Sequence, residues 1–237
     1  MKAELASRIK GNSYPGRGLV QGISDDGAMA YQLYWIMGRS VNSRNRIFVA
    51  DRGTLATKAA DPAKCEDPAL VIYEAMLEKG AHFVVSNGDQ TRTIAEGLNR
   101  QTSFVEALLG REREPDAPNY TPRISGQLDL PAGGPVFWFS IIKANSHDPT
   151  HSVHHFFRRD FMVPGTGMGL TTYEGDGKPL PSFVGEPMLL PMAGSVQDIL
   201  QQYWEALDAD NRIALALKSI PLQGGPSKIQ IINKYAE

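Results

Sequence analysis

One cysteine, Cys65, is all the thiol this chain of 237 residues contains, so no internal disulfide can staple it and a reducing compartment suits it. Long apolar runs are also missing. No stretch approaches the roughly 18 residues of a membrane span, and the start, Met1 to Arg8, lacks the apolar core of a signal peptide. The expectation is a soluble, cytoplasmic protein with no membrane partner. Charge of one sign is scarce as well: 24 basic residues face 26 acidic ones, and the longest basic cluster is Arg158-Arg159. Nucleic acid therefore finds no electrostatic footprint, and any anion bound should be small. No repeat, low-complexity tract or linker divides the chain, which reads as one domain over residues 1–237.

What is present is a series of short polar islands, each beginning where an apolar run stops. They are Tyr14-Pro-Gly-Arg-Gly18, Gly38-Arg-Ser-Val-Asn-Ser-Arg44, Ser86-Asn-Gly-Asp-Gln-Thr-Arg-Thr93 and Asn119-Tyr-Thr-Pro-Arg123. Guanidinium forks and amides at strand ends suit one anionic ligand held by several loops.

Strand spacing runs from Gly18 to Ile23 and from Ala28 to Met37, joined by the turn Ser24-Asp-Asp-Gly27. Arg46 to Ala50 predicts a third strand, and Arg52 to Pro68 reads as loop or poorly formed helix. Leu70 to Lys79 fits either period, and Lys79-Gly80 before Ala81 to Ser86 tips it toward a second hairpin. Thr93 to Leu98 and Ser103 to Leu109 predict amphipathic helices, the second with a capping box of Ser103 and Glu106. Val136 to Ala144 and Val153 to Val163 predict central strands. Ser195 to Leu207 is a capped helix, with Arg212 to Lys218 and Lys228 to Lys234 as closing strands. Hairpins separated by groups of helices predict an α+β fold with mainly antiparallel sheets.

The islands, in this order, resemble the archaeal-type IMP cyclohydrolase family from about Tyr14 to about Glu174, with a weaker match from Ser195 to Leu200. The most specific pieces are Val84-Val-Ser-Asn-Gly88 with Thr93-Ile94, and Thr121-Pro-Arg-Ile124. The resemblance implies a four-layer αββα sandwich of the kind shared with N-terminal-nucleophile hydrolases. Those enzymes use Ser, Thr or Cys at residue one, whereas Met1-Lys2 offers none, so the chemistry must differ. It also implies a homo-oligomer, a purine ribonucleotide substrate (FAICAR, converted to inosine monophosphate) and no cofactor.

Under that resemblance Arg44 and Tyr73 are catalytic donors to the formyl oxygen at the reacting end of the substrate and Glu114 moves the proton, with Glu112 its close competitor. Arg17, Arg39, Asn87, Gly88, Thr91, Asn119, Thr121, Arg123, Tyr173 and Glu174 are the expected binding residues. Taken alone, each has a plainer reading: surface arginines in turns, Asn87-Gly88 as a turn, Thr91 as a helix cap, a solvated charge run at 111–116, and Tyr73 as a core aromatic. An extra Tyr120 between Asn119 and Thr121, and another insertion before Tyr73, depart from the family pattern and keep open a silent nucleotide-binding protein. An amide hydrolase of the wider αββα class is the other alternative. His147, His151, His154 and His155 have no metal-ligand spacing and read as a surface loop entering a strand. Gly165-Thr-Gly-Met-Gly169 lacks the ending of a phosphate loop and reads as a flexible loop or lid.

Overall fold

The computed structural model describes residues 6–64 and 72–235. Cys65 therefore lies outside the described residues. A six-stranded antiparallel sheet runs β11 (Met188–Pro191), β10 (Thr166–Thr171), β1 (Gly18–Ile23), β2 (Met29–Met37), β12 (Arg212–Pro221) and β13 (Lys228–Asn233). A seven-stranded antiparallel sheet follows chain order: β3 (Arg46–Asp51), β4 (Thr54–Ala59), β5 (Glu74–Lys79), β6 (His82–Ser86), β7 (Arg123–Asp129), β8 (Val136–Ala144) and β9 (Ser152–Arg159).

Alternation along each strand divides the apolar residues between two faces. Leu19, Tyr34, Phe83, Ile124, Phe139 and Ala216 meet in a core between the sheets. On the far side of the six-stranded sheet, Val20, Leu33, Trp35 and Leu215 pack against Ile199, Leu200 and Tyr203 of α4 (Val196–Ala206). On the far side of the other sheet, Val84 and Ile142 pack beneath Ile94 of α2 (Gln90–Asn99) and Phe104 and Leu108 of α3 (Phe104–Leu108). The result is an α+β arrangement of helix, sheet, sheet and helix. A four-residue helix, α1 (Val41–Arg44), joins β2 to β3 and is capped by Ser40 and Ser43. Among the described residues no helix is long and apolar enough to cross a membrane.

Polar side chains also lie between the sheets. Gln21, Gln32 and Lys218 stand side by side on β1, β2 and β12, all fully buried. Each reaches across: Gln21 Nε2 donates to Trp138 O at 2.8 Å and Gln32 Nε2 to Phe83 O at 2.9 Å. Lys218 Nζ donates to Gly53 O at 2.7 Å and pairs with Glu78 Oε2 at 2.5 Å. Gly126 has no side chain because a Cβ there would meet Gln21 Nε2 at 2.7 Å.

Several expected elements are corrected. The stretch after Arg52 contains β4, because Arg52 and Gly53 take φ of 43° and 81° and form a two-residue hairpin turn onto β3. The 165–169 stretch is no lid: it forms most of β10, buried between β1 and β11. Its glycines are packing requirements, since a Cβ on Gly167 would lie 2.7 Å from Gln21 O and 2.8 Å from Met192 Cγ. β7 and β11 were not expected, α2 starts at Gln90 rather than Thr93, and β9 stops at Arg159 rather than Val163.

Candidate functional site

The residues that the polar islands contribute collect at one end of the sandwich, where β1, β3, β5 and β7 begin and β2, β6 and β10 end. Arg17, just before β1, is buried and points at Glu114 in the segment leading to β7. Its Nη1 lies 2.9 Å from Glu114 Oε1 and its Nη2 donates to Oε2 at 3.0 Å. Nη1 also donates to the carbonyl of Asn87 at 2.8 Å. Only 11% of the Arg17 side chain and 6% of that of Glu114 are exposed, so this two-nitrogen, two-oxygen fork is a nearly dry ion pair. Burial works against the charge on Arg17, but Glu114, with Tyr73 and Tyr34, outweighs it and holds the guanidinium protonated.

Beside the fork the Tyr34 and Tyr73 hydroxyls share a hydrogen bond of 2.7 Å. Tyr34 comes from the inner face of β2 and Tyr73 from just before β5, so this bond spans the two sheets. Burial, reinforced by Tyr73, pushes the Tyr34 phenol well above its ordinary range. A second buried guanidinium, Arg46 at the start of β3, lies within electrostatic reach of both hydroxyls and of Tyr14 and Arg17. It is anchored to Ser43 O at 2.7 Å and Met37 O at 3.0 Å.

On the other flank Thr121 Oγ1 shares a hydrogen bond of 2.5 Å with the Tyr173 hydroxyl and donates to Asp116, whose other oxygen accepts from the Thr121 amide at 2.7 Å. Burial pushes the Tyr173 phenol up to about 12. Tyr173 stacks on Tyr14 with ring centroids 5.9 Å apart. The guanidinium of Arg39 covers Tyr14 at 4.6 Å from its centroid and bonds to Asp176 at the rim.

The remaining expected residues fall into two groups. Asn87, Gly88, Thr91 and Arg123 form the frame behind Arg17. Asn87 Oδ1 accepts from Gln90 and from the Ile124 amide, and its Nδ2 donates to Pro122 O. Arg123 bonds to Glu112 O, Gln90 Oε1 and Asp89 Oδ1, while Thr91 caps back onto Gly88 O. Gly88 has room for no side chain, because a Cβ would meet Gln90 Oε1 at 2.7 Å and Arg123 Nη1 at 2.9 Å. Arg44, Asn119 and Glu174 lie apart from the cluster. Arg44 donates to Gly38 O and Asn211 Oδ1, Asn119 Oδ1 accepts from the Leu180 amide, and the exposed Glu174 accepts from the Val184 amide. The Glu112 side chain is 71% exposed.

Sequence reasoning missed Tyr34, Arg46, Asp89 and Asp116. Tyr34 sits inside an apolar run that looks like ordinary core, whereas Arg46 could have been found as a charge at a buried strand start. Among the described residues no group of three or more His, Cys, Asp or Glu side chains is placed to hold a metal ion. His154 Nε2 donates to Arg111 O and His151 pairs with Asp148.

A cavity of about 330 Å³ opens beside the cluster, lined by Tyr73, Asp89, Arg92 and Thr93. The arrangement offers a fixed carboxylate, a phenol and two buried cations, of which Tyr73 alone lines that cavity, a set able to move a proton while stabilising negative charge on a neighbouring oxygen. The family model described as IMP cyclohydrolase-like protein matches residues 14–224, nearly the whole described chain. No curated protein matches it.

Proposed function

The chain belongs to the IMP cyclohydrolase-like family, and from that membership we propose that it closes a formamido-imidazole-carboxamide ribotide to inosine monophosphate with loss of water. The observation that carries this reading is the Arg17–Glu114 fork set against the Tyr34–Tyr73 hydroxyl pair.

In the reaction the carboxamide nitrogen attacks the neighbouring formyl carbon. A carbon–nitrogen bond forms as the carboxamide nitrogen loses a proton and the formyl oxygen becomes a hydroxyl; that hydroxyl then takes up a second proton and leaves as water while the former formamide nitrogen gives up its own proton and forms a double bond to the same carbon. A carboxamide nitrogen is a poor nucleophile, so a base and an oxygen donor must act together. Glu114 is the base, and Arg17 fixes its orientation through both carboxylate oxygens. Tyr73 donates to the formyl oxygen, and the charges of Arg17 and Arg46 stabilise the negative charge that develops there. Asn87, Gly88, Thr91 and Arg123 hold Arg17 and the start of α2 in place. Arg39, at the rim, is assigned to the nucleotide's phosphate, with Thr121 and Tyr173 facing it; Arg44 and Glu174, which lie apart from the cluster, have no part in this reading. The fold we assign is the αββα sandwich of N-terminal-nucleophile hydrolases, working in the cytoplasm.

The test is direct. Purified protein is incubated with the formylated ribotide, and inosine monophosphate is followed by absorbance. Formation faster than the buffer control is expected. Tight binding of inosine monophosphate with no turnover would overturn the enzymatic reading in favour of a silent nucleotide-binding protein.

A further inference from the structure

A larger cavity, of about 780 Å³, lies at the same end of the sandwich but is walled off from the arginine cluster. It opens between the C-terminal end of β8, the N-terminal end of β9, and the segments 118–120 and 179–184. None of Arg17, Tyr34, Tyr73 or Glu114 lines it. The wall is the strap 118–121: Asn119 is tied to the Leu180 amide on one side, and Thr121 bonds to Tyr173 on the other. Its volume is that of a small-molecule site, and Pro118, Pro149, Val153, Pro179 and Leu180 give it apolar sides.

Two nitrogenous side chains face this space without an anion between them. Lys143 Nζ donates to Phe183 O at 2.8 Å and forms no ion pair among the described residues. The carboxylate that acts on it through space, Glu174, is engaged by the Val184 amide. The exposed His155 lies opposite Ile141 on the adjoining strand, diagonal to Lys143 and two residues from the latter's partner Val153, and its ring has no hydrogen-bond partner among the described residues. Burial, then Lys143 and His154, hold His155 below the ordinary imidazole range, and burial depresses Lys143. A half-buried ammonium and an exposed imidazole thus line one partly apolar space, where both could donate to a single anionic group.

We propose that this cavity is a second binding site, for a small organic anion with an apolar body. Lys143 and His155 grip its carboxylate or phosphate, and the proline-rich walls cover its hydrocarbon. Phenyl phosphate and benzoate are the probes, titrated into the full chain by calorimetry while the His155 ring protons are followed by NMR. At least one of them should saturate one site per chain and move the His155 resonances; which one does so separates the phosphate from the carboxylate form. Lys143→Met should weaken that binding by about ten- to a hundredfold, the usual worth of a charge-assisted hydrogen bond. His155→Leu serves as a second variant should Lys143→Met disturb folding, judged by near-ultraviolet circular dichroism. Inosine monophosphate should bind alongside the probe. Absence of saturation with both probes at millimolar concentration, unchanged affinity in the two variants, or one-for-one displacement by inosine monophosphate would overturn the proposal.

Discussion

Arg17 meets Glu114 through two nitrogens and two oxygens, at 2.9 and 3.0 Å, across 97 residues of sequence. Neither partner is near the other in the chain, and each is held from behind: Arg17 by the carbonyl of Asn87, Glu114 by its amide bond to Thr121 O at 3.0 Å. Such a fork holds the carboxylate in one direction.

Glu114→Gln keeps the shape and removes the titratable oxygen. Turnover should fall by about 10² to 10⁴, with nucleotide affinity little changed. Glu112→Gln, whose side chain is largely in water, should leave the rate close to that of the unaltered protein. Both are measured as the rate of inosine monophosphate formation; equal small losses would remove Glu114 from the mechanism.

Tyr73→Phe deletes the donor to the formyl oxygen and should cost about 10² to 10³ in turnover, the usual effect of losing one oxyanion donor. Tyr34→Phe removes only the partner of that donor and should cost less. Single-turnover rates of the two variants decide the order, and a larger loss for Tyr34→Phe would exchange their roles.

Asp89 couples the frame to acid. Burial raises its carboxyl, but Arg111 and Arg123 outweigh this, and its folded-state pKa lies below the ordinary carboxylate value. The stability it contributes is therefore fully present above the unfolded value of about 3.9 and is lost as pH falls through the lower folded one. Urea midpoints measured from neutral pH downward should fall in acid for the native chain, and Asp89→Asn should flatten that decline. An unchanged acid limb would show that the pairs are too solvated to matter.

Gly167→Ala pushes a methyl against Gln21 O and Met192 and should destabilise by about 1–3 kcal/mol through overpacking. Gly133→Ala, in open space, should be close to neutral. Urea denaturation of both variants checks the contrast.

Hairpins and capped helices were legible because their signals are local: the turn 24–27, the Ser103–Glu106 box and the alternation in β8 each announce themselves in a few residues. β4 hid because its turn, Arg52-Gly53, has a positive-φ arginine where asparagine or aspartate is the usual sign. β10 hid because glycines at 165, 167 and 169 look like freedom in one dimension, whereas in three Gly167 and Gly169 allow β1, Leu190 and Met192 to approach. At the site, the motif residues Arg17, Glu114, Tyr73 and Thr121 came together, but their partners did not show. Tyr34, Arg46, Asp89 and Asp116 are chosen by what stands opposite them across the fold, and a linear pattern does not carry that information.

The buried row of Gln21, Gln32 and Lys218 bears on which alignment of the strands the chain can accept. Leucine, isoleucine and valine are nearly interchangeable, so apolar faces alone would tolerate a sliding error at modest cost. Moving β12 along β2 by one residue would turn Lys218 to the helix-covered face, away from Glu78 and Gly53 O, and strand an ammonium in an apolar layer. Breaking a buried pair in this way typically costs about 3–5 kcal/mol, a large share of a domain's net stability. Three amide and ammonium groups thus make the correct sliding position far cheaper than its neighbours.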